Sequence, residues 1–215
     1  MSTSHPRAPD HRQRKSRAAL QQALLALIAR KPYAEITIED VTEHADVARA
    51  TFYAHYRDKS TLLHEACRDL VNELTGRVDT AAAQSTVYSG GGGVLAVFQH
   101  ASDHTDLYRL VVSGEGGATA RAELVEAFED IADMVFSRQS DASNRTPRVP
   151  VSVITTAFVG ALVLTLERWL REDARQQSTQ IALQFLHTQV RGLEWSLGYE
   201  PGETYFEGSS TEQPG

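Results

Sequence analysis

Apolar residues recur at helical spacing along most of the chain. The first such run begins near residue 11 and is expected to end before Pro32, because the residue ahead of a proline is pushed out of the helical region. A second long run extends from Lys59 to about residue 78. The apolar positions are Leu20, Leu24, Leu27 and Ile28 in the first run, and Leu63, Cys67, Leu70 and Leu74 in the second.

The middle of the chain is predicted to contain three shorter helices. The sequence SGGGG at 89–93 is expected to break the chain before them, and the Ser, Asn and Pro density of 140–150 is typical of a loop after them. The predicted helices lie at about 94–100, 106–112 and 123–138.

Two apolar helices, at about 151–172 and 179–197, close the predicted fold. The opening VSVITT is β-branched enough for a strand, but its helical spacing continues over a span too long for one. The first helix is apolar on most faces and the second has heptad-like spacing, so we expect a homodimer interface. The alternative is that both helices bury everything within one chain. The predicted interface residues are Ile154, Phe158, Leu162, Trp169, Leu183, Leu186, Val190 and Leu193.

Residues 37–56, TIEDVTEHADVARATFYAHY, have the layout of a DNA-reading helix-turn-helix. Thr37 is a good N-cap, with Asp40 three residues on to return the bond, and Asp46 lies where the turn is expected to need a positive φ. The side chains left facing outward are Arg49, Thr51, Tyr53 and His55. The alternative is an ordinary helical hairpin in a core.

Residues 37–63 as a block resemble the tetracycline-repressor (TetR) family of transcriptional regulators, with no gap in the spacing. Three positions depart from the usual family pattern, since Asp46 stands in place of Gly, and Ala48 and Ala50 in place of Ser and Gly. Ala48 gives up a capping hydroxyl, and Ala50 adds a methyl near the DNA backbone. The resemblance implies a homodimer with a four-helix bundle built from the last two helices, and a small-molecule effector held among the middle helices.

Two such modules on a dimer would read a palindromic operator of double-stranded DNA. Arg49 is the best candidate for a guanine edge, because its planar fork matches O6 and N7. Thr37, Tyr53 and Lys59 are expected to hold phosphates, a role that the family pattern supports for the last two. His55 could do either. Five basic residues form an arm that could follow the DNA backbone or be a solvated tail: Arg7, Arg12, Arg14, Lys15 and Arg17.

The charge is unevenly distributed. Residues 1–60 contain 10 Lys and Arg against 7 Asp and Glu, whereas residues 61–215 contain 11 against 21. A modestly basic N-terminal region is therefore attached to an acidic body, and only one end of the molecule attracts phosphate.

Several classes of protein are disfavoured. A single cysteine excludes intramolecular disulfides, and no nucleophile elbow, phosphate-binding loop or zinc-protease motif is present, so we expect no enzyme and no cofactor. The longest apolar stretch, 151–166, is shorter than the ~20 residues that span a bilayer. These observations predict a soluble, cytoplasmic protein without a membrane partner.

Candidate effector-binding residues lie on the linking helix and in the middle of the chain. They are His64, Cys67, His100, His104, Tyr108 and Arg109. Cys67 lies among leucines and is better explained as a core thiol. His100 and His104 have the spacing of zinc ligands on one helix, but Asp103 suggests a helix start between them, so no metal is expected. A DNA-binding dimer without an effector, architectural or partner-recruiting, is the alternative function.

The sequence therefore predicts an all-α protein with an N-terminal helix-turn-helix DNA-binding domain and a larger helical domain for effector binding and dimerisation. The predicted divisions are a disordered basic arm at 1–10, the DNA-binding domain at 11–58, the helical domain at 59–198 and a flexible tail at 199–215.

Overall fold

The structure, a computed structural model, describes residues 8–84, 91–143, 145–172, 174 and 176–198. These residues form nine α-helices and one short 3-10 helix, and no strand occurs among them, as expected for an all-α protein. The α-helices are α1 (Ala8–Ile28), α2 (Ile38–His44), α3 (Arg49–His55), α4 (Lys59–Gln84), α5 (Gly91–Asp103), α6 (Thr105–Val112), α7 (Ala118–Ser143), α8 (Val151–Arg171) and α9 (Ser178–Ser196). The 3-10 helix, Tyr33–Glu35, follows α1.

Helices α1 to α3 form an N-terminal unit, residues 8–58, around a small apolar core. Leu20 and Leu24 of α1 meet Val41 of α2 and Phe52 of α3, and all four side chains are fully buried. Burial of these side chains is what holds helices as short as α2 and α3, since isolated helices of seven residues are unstable in water.

The start of α1 differs from the prediction. The helix begins at Ala8, inside the segment predicted to be a disordered arm, and runs to Ile28, ahead of Pro32 as expected. Pro9 does not prevent this, because it lies in the first turn, where the missing N–H has no intrahelical partner to lose. Residues 1–7 of the predicted arm lie outside the described residues.

Helices α4 to α9 form the body, residues 59–198. Helix α5 packs between α4 and α9, and α8 packs against α6, α7 and α9. The centre is aromatic: Phe98 meets the rings of Trp169 and Phe185, at centroid separations of 5.6 and 6.3 Å. The α4 and α9 helices start and end within a few residues of the predicted bounds, except that α4 continues to Gln84.

The predicted break at SGGGG is only partly correct. Gly91–Gly93 form the first turn of α5 rather than a loop, while residues 89 and 90 lie outside the described part of the chain. A Cβ added at Gly92 would lie 3.5 Å from the Cβ of Ala81 on α4. The two helices therefore approach closely here, and small residues on both sides allow that approach.

Burial of side chains on α8 and α9 contradicts most of the predicted dimer interface. Four of the predicted interface residues are at most 8% exposed within a single chain, so they belong to its own core and cannot face a second copy. They are Ile154, Leu162 and Trp169 of α8 and Leu186 of α9. Phe158 is also engaged, since its ring meets those of Phe136 and Phe185. Leu183 is 52% exposed and stays available, whereas the side chains of Val190 and Leu193 lie outside what the structure describes.

The helix also corrects the length argument about membranes. At 21 residues, α8 is long and apolar enough to cross a bilayer, by length and composition alone. Eight of its side chains are nevertheless buried against the rest of the body, including Val159, Val163 and Leu166. A core helix passes the same length test, so this one helix is weak evidence for a membrane span.

Candidate functional site: a nucleic-acid interface and the helices that support it

The start of α2 is fixed by a reciprocal cap. The Thr37 hydroxyl accepts a hydrogen bond from the Asp40 backbone N–H at 3.1 Å, and the Thr37 N–H donates to the Asp40 carboxylate at 2.7 Å, which is the predicted capping box. Lys31 adds an ion pair with Asp40 at 2.7 Å. These donors, the Lys31 ammonium first, hold the pKa of Asp40 far below its usual range. The Thr37 hydroxyl is thus already bonded within the chain.

The turn between α2 and α3 adopts the predicted geometry. Asp46 has a φ of 51°, in the left-handed region that Asp tolerates better than most residues. Ala48 precedes α3 as its N-cap and makes no side-chain cap bond, as its missing hydroxyl implies. The turn is therefore held by backbone bonds, such as the one from the Val47 N–H to the Thr42 carbonyl at 3.1 Å.

Helix α3 presents one exposed face to solvent. Arg49, Ala50 and Tyr53 are exposed on it, while Phe52 on the opposite side is fully buried and orients the helix. The Arg49 guanidinium donates to the Tyr53 hydroxyl at 3.4 Å and lies 5.8 Å from the ring centroid. A guanidinium stacked in this way keeps its fork at the surface, where it can meet a base edge or a phosphate. Thr51 is only partly exposed.

His55, at the end of α3, is less available than predicted. Its Nε2 lies 2.8 Å from the Ser16 hydroxyl of α1, and the imidazole is half-buried. The sequence contained no local signal for this pairing, because the two residues are 39 positions apart. His55 therefore helps to position α3 against α1.

Lys59 has a different role from the predicted phosphate contact. Its ammonium donates to the carbonyls of Tyr33 and Ile36, each at 2.6 Å, and lies 4.1 Å from the centroid of the Tyr33 ring. Burial lowers the pKa of Lys59. Two of its three donors are thus used to brace the 3-10 helix ahead of α2, and we revise its assignment to a structural one.

Asp58 caps α4. Its carboxylate accepts from the backbone N–H and the hydroxyl of Thr61, both at 2.8 Å. These bonds, with a contribution from Arg57, lower the pKa of Asp58 to about 2. Where the N-terminal unit meets the body, Asp58 therefore caps α4 and Lys59 bonds the backbone of the N-terminal unit.

The residues of the predicted basic arm differ in their surroundings. Arg17 donates to Glu65 of α4 at 2.5 Å, and this bond raises the pKa of Arg17, so it ties α1 to the body. Arg12, Arg14 and Lys15 are exposed on α1, and Arg7 lies outside the described residues. Among the described residues of the arm, these three are the candidates for DNA backbone contact.

The predicted effector residues do not form one site. His64 of α4 pairs with Glu123 of α7 at 2.7 Å, and Arg109 donates to the Leu170 carbonyl through two nitrogens. Cys67 is 3% exposed, and burial raises the pKa of its thiol to about 12, so it behaves as a core side chain.

The other three, His100, His104 and Tyr108, do come together. Helix α5 ends at Asp103, but the His104 N–H bonds the His100 carbonyl at 3.1 Å, so the two residues lie one turn apart with their imidazole centroids at 4.6 Å. The predicted break does not separate them, which corrects the reason given against a metal. His100 Nδ1 lies 2.9 Å from the Tyr108 hydroxyl. Glu73 of α4 faces both histidines, a contact that sequence separation hid.

An apolar cavity of about 60 Å³ lies inside the body, away from those residues. The side chains that line it include no charged one. Five helices contribute to the wall: α4 with Val78, α5 with Val97, α7 with Phe136, α8 with Phe158 and α9 with Leu186. Periodicity marked some of these residues as apolar, but it could not show that they leave space between them.

Comparison with known proteins agrees with this geometry. The family model for bacterial regulatory proteins of the tetR family matches residues 20–66, which cover the second half of α1 to the start of α4. The HTH-type transcriptional regulator YxbF of Bacillus subtilis is 41% identical over 71 residues, which is 31% of this chain and only 19% of that protein. An HTH-type transcriptional regulator of Haemophilus influenzae is 25% identical over 206 residues, 87% of this chain and 94% of that one.

Solved structures share the whole fold. A crystal structure assigned to the TetR family, from Syntrophomonas wolfei, has a TM-score of 0.72 at 14% identity and covers 88% of this chain and 99% of its own. Thermus thermophilus FadR, a TetR-family repressor in complex with lauroyl-CoA, has a TM-score of 0.65 at 16% identity, with coverage of 87% and 98%.

The capped α2, the left-handed turn and the exposed face of α3 define a helix-turn-helix DNA-binding regulator. Residues 20–66 match the tetR family of bacterial regulatory proteins, and the chain as a whole shares the fold of a structure assigned to that family.

Proposed function

We propose that the chain is a cytoplasmic homodimeric repressor that binds a palindromic operator and leaves it when an apolar small molecule enters the body. The observation that carries the DNA-binding part is the exposed Arg49–Tyr53 pair on α3, supported from behind by buried Phe52. Arg49 is the base-reading residue of this proposal, and Tyr53 and Thr37 lie at the phosphates. The chain acts by binding, without catalysis.

Arg49→Ala tests the DNA-reading role. Loss of a bidentate contact to guanine should cost about 1–3 kcal/mol on the operator and much less on random DNA. The operator is selected from DNA upstream of the protein's own gene or its neighbour, and binding is titrated at several salt concentrations. Arg138→Ala is the matched control, because Arg138 is an exposed arginine on α7 in the body. Equal losses on both DNAs would remove Arg49 from base reading.

Dimerisation requires a surface that one chain leaves open. Four exposed apolar residues on the last two helices supply it. They are Val153 and Leu164 on α8 and Leu183 and Trp195 on α9, which are 54, 63, 52 and 57% exposed, respectively. Large apolar side chains in water are stabilised when a partner covers them. We propose that a second copy covers these four, in place of the buried residues predicted from the sequence.

Leu164→Glu tests the dimer, because it places a charge in the proposed interface without disturbing the core. Light scattering at micromolar concentration should give a mass near twice 23.7 kDa for the natural chain and a lower one for the variant. Ala122→Glu, exposed on α7, is the control and should stay dimeric. A monomeric natural chain would contradict the proposal.

The effector part rests on the apolar cavity, which supports a ligand with a hydrocarbon or aromatic moiety rather than a charged one. That Thermus thermophilus FadR is seen with lauroyl-CoA supports an acyl chain as one such moiety. For release, the ligand must prefer the conformation that fits DNA poorly.

A thermal-shift screen of medium-chain fatty acids and small aromatic compounds tests this part, since a ligand of the native state raises the melting temperature. Ala132→Phe on α7 should abolish the shift, because it fills the cavity that Ala132 lines. Ala122→Phe, exposed on the same helix, is the matched control. If no compound of either class binds, the alternative of a DNA-binding dimer without an effector is favoured.

A further inference from the structure

Three potential metal ligands meet at the surface of the body, outside the apolar cavity. Glu73 comes from α4, His100 from the last turn of α5 and His104 from the residue before α6. One ligand atom from each, a carboxylate oxygen and two ring nitrogens, lies within 4.8 Å of the other two. Glu73 Oε1 is 3.7 Å from His100 Nε2, and Glu73 Oε2 is 3.3 Å from His104 Nε2.

His100 Nε2 is the feature that calls for a ligand. The His100 side chain is fully buried, and its Nε2 has no hydrogen-bond partner. Its other nitrogen, Nδ1, is bonded to the Tyr108 hydroxyl at 2.9 Å. A buried polar atom without a partner is costly, and native proteins seldom leave one unsatisfied without a water or an ion.

The tautomer with a hydrogen on Nδ1 donates that hydrogen to Tyr108. It leaves the Nε2 lone pair directed at the Glu73 carboxylate, so that two electron-rich groups face each other. A metal-bound histidine usually donates its second nitrogen to a neighbouring oxygen in this way, which fixes the ring and the tautomer. Tyr108 is buried and therefore a rigid support for the ring.

We propose that Glu73, His100 and His104 bind a divalent first-row transition-metal ion, with zinc as the representative. Two imidazoles and one carboxylate are donors that such ions accept, whereas Mg²⁺ and Ca²⁺ prefer oxygen alone. With Zn–N bonds of about 2.0–2.1 Å, ligand atoms of a tetrahedral site lie ~3.3 Å apart, which the distance from Glu73 Oε2 to His104 Nε2 matches, and the three ligand atoms lie within 4.8 Å of one another. The fourth position is left for water or an external ligand.

The surrounding charges permit a cation. Arg77 lies beside the cluster, but its guanidinium is shared between Glu73 Oε1 and Asp103, each at 2.7 Å. Two carboxylates and one guanidinium leave a net charge of −1 next to two neutral imidazoles. Arg77 contacts Oε1, so Oε2, the oxygen that faces His104, is the one assigned to the metal. A bound ion would tie α4 to the junction of α5 and α6.

The test uses the full-length chain stripped with a chelator and titrated with Zn²⁺ by calorimetry, with Co²⁺ absorption as a report on the ligand geometry. We expect one ion per chain, a higher melting temperature with Zn²⁺, and no such effect of Mg²⁺. Glu73→Gln and His104→Gln are partly exposed changes that should leave the fold intact. Each should weaken Zn²⁺ binding by at least about tenfold, because even outer-shell changes cost that much.

His64→Gln is the matched control, because His64 also lies on α4 and faces a carboxylate, Glu123, but without the second histidine. This variant should bind Zn²⁺ like the natural chain. The proposal is overturned if the natural chain binds no Zn²⁺ stoichiometrically, or if Glu73→Gln and His104→Gln both bind as tightly as His64→Gln. Neither outcome depends on DNA or on an apolar effector, so the metal site stands or falls separately from the proposed function.

Discussion

The N-terminal unit and the body are held together by different kinds of contact. Around the small apolar core of the N-terminal unit, charged side chains bond the backbone: Lys59, at the start of α4, donates to the carbonyls of Tyr33 and Ile36, and Asp40 accepts from the Thr37 N–H. In the body, aromatic rings such as Phe98 and Trp169 pack against one another beside a cavity. Hydrogen bonds are directional and define one geometry, whereas apolar packing accepts several at small cost. The conformation of the surface that presents Arg49 is thus more restricted than the conformation of the interior that surrounds the cavity.

The largest effect is expected in the body. Phe98→Ala removes a fully buried ring from the aromatic centre, and such a truncation costs about 3–5 kcal/mol. Urea unfolding at equilibrium measures the loss. Leu164→Ala, at a side chain that is 63% exposed, is the control, best measured below the dimer concentration range. A loss under about 1 kcal/mol for Phe98→Ala would mean that the centre repacks freely.

The next effect concerns the N-terminal unit. Lys59→Met keeps the length of the side chain but removes both hydrogen bonds to carbonyls, which should cost about 1–3 kcal/mol. Hydrogen exchange should show the loss first in α2 and the 3-10 helix, with the body little changed. Lys15→Met, exposed on α1, should have no such effect. A loss of protection spread evenly over the chain would instead show that the Lys59 hydrogen bonds do not act mainly on the N-terminal unit.

A smaller and pH-dependent effect is expected at the joint. The folded chain holds the pKa of Asp58 at about 2, below its ordinary value of 3.8, so the ionised carboxylate stabilises the fold above that ordinary value. This contribution is lost as the pH falls through about 2. Asp58→Ala should therefore lower the melting temperature by a few degrees at neutral pH and by almost nothing near pH 2.

Asp130→Ala, on the exposed face of α7, is the control for this comparison. Calorimetry at a series of pH values measures both variants. A deficit for Asp58→Ala that persisted unchanged to the lowest pH would show that the cap does not act through its charge.

The smallest effect is expected on the outer face of α8. Arg168 pairs with Glu172 one turn away at 3.1 Å, but both side chains are well exposed. Arg168→Ala should therefore change the free energy of unfolding by less than about 0.5 kcal/mol. Unfolding at low and high salt measures it, and a loss above about 1 kcal/mol would show that this surface is engaged more tightly than a single chain reveals.

The sequence was sufficient where the information is local. Helical spacing, the Thr37–Asp40 cap and the positive φ of Asp46 all depend on residues within a few positions of each other, and the structure confirms them. The exposed positions of Arg49 and Tyr53 follow from the same periodicity, since Phe52 between them is buried.

The sequence was insufficient where distant residues meet. Lys59 bonds carbonyls 23 and 26 positions away, and Glu73 faces histidines about 30 positions on, so no motif could show either contact. Apolar character also predicted that Ile154 and Leu186 are buried but not by which partner, which is why a core was mistaken for an interface. Burial is a property of the assembled helices and not of the pattern alone.

Helix α4 sets the spacing between four separate contacts in the molecule. In order along its 26 residues it carries Lys59 at the joint, Glu65 against α1, Glu73 at the histidines and Val78 at the cavity. Each residue added to a helix advances it by 1.5 Å and rotates it by about 100°. One inserted residue near Gly76 would therefore turn Val78 away from the cavity while leaving Glu73 in place. We therefore expect α4 to tolerate a change of length only at its end near Gln84, because an insertion before Val78 moves the residues that follow it along and around the helix axis.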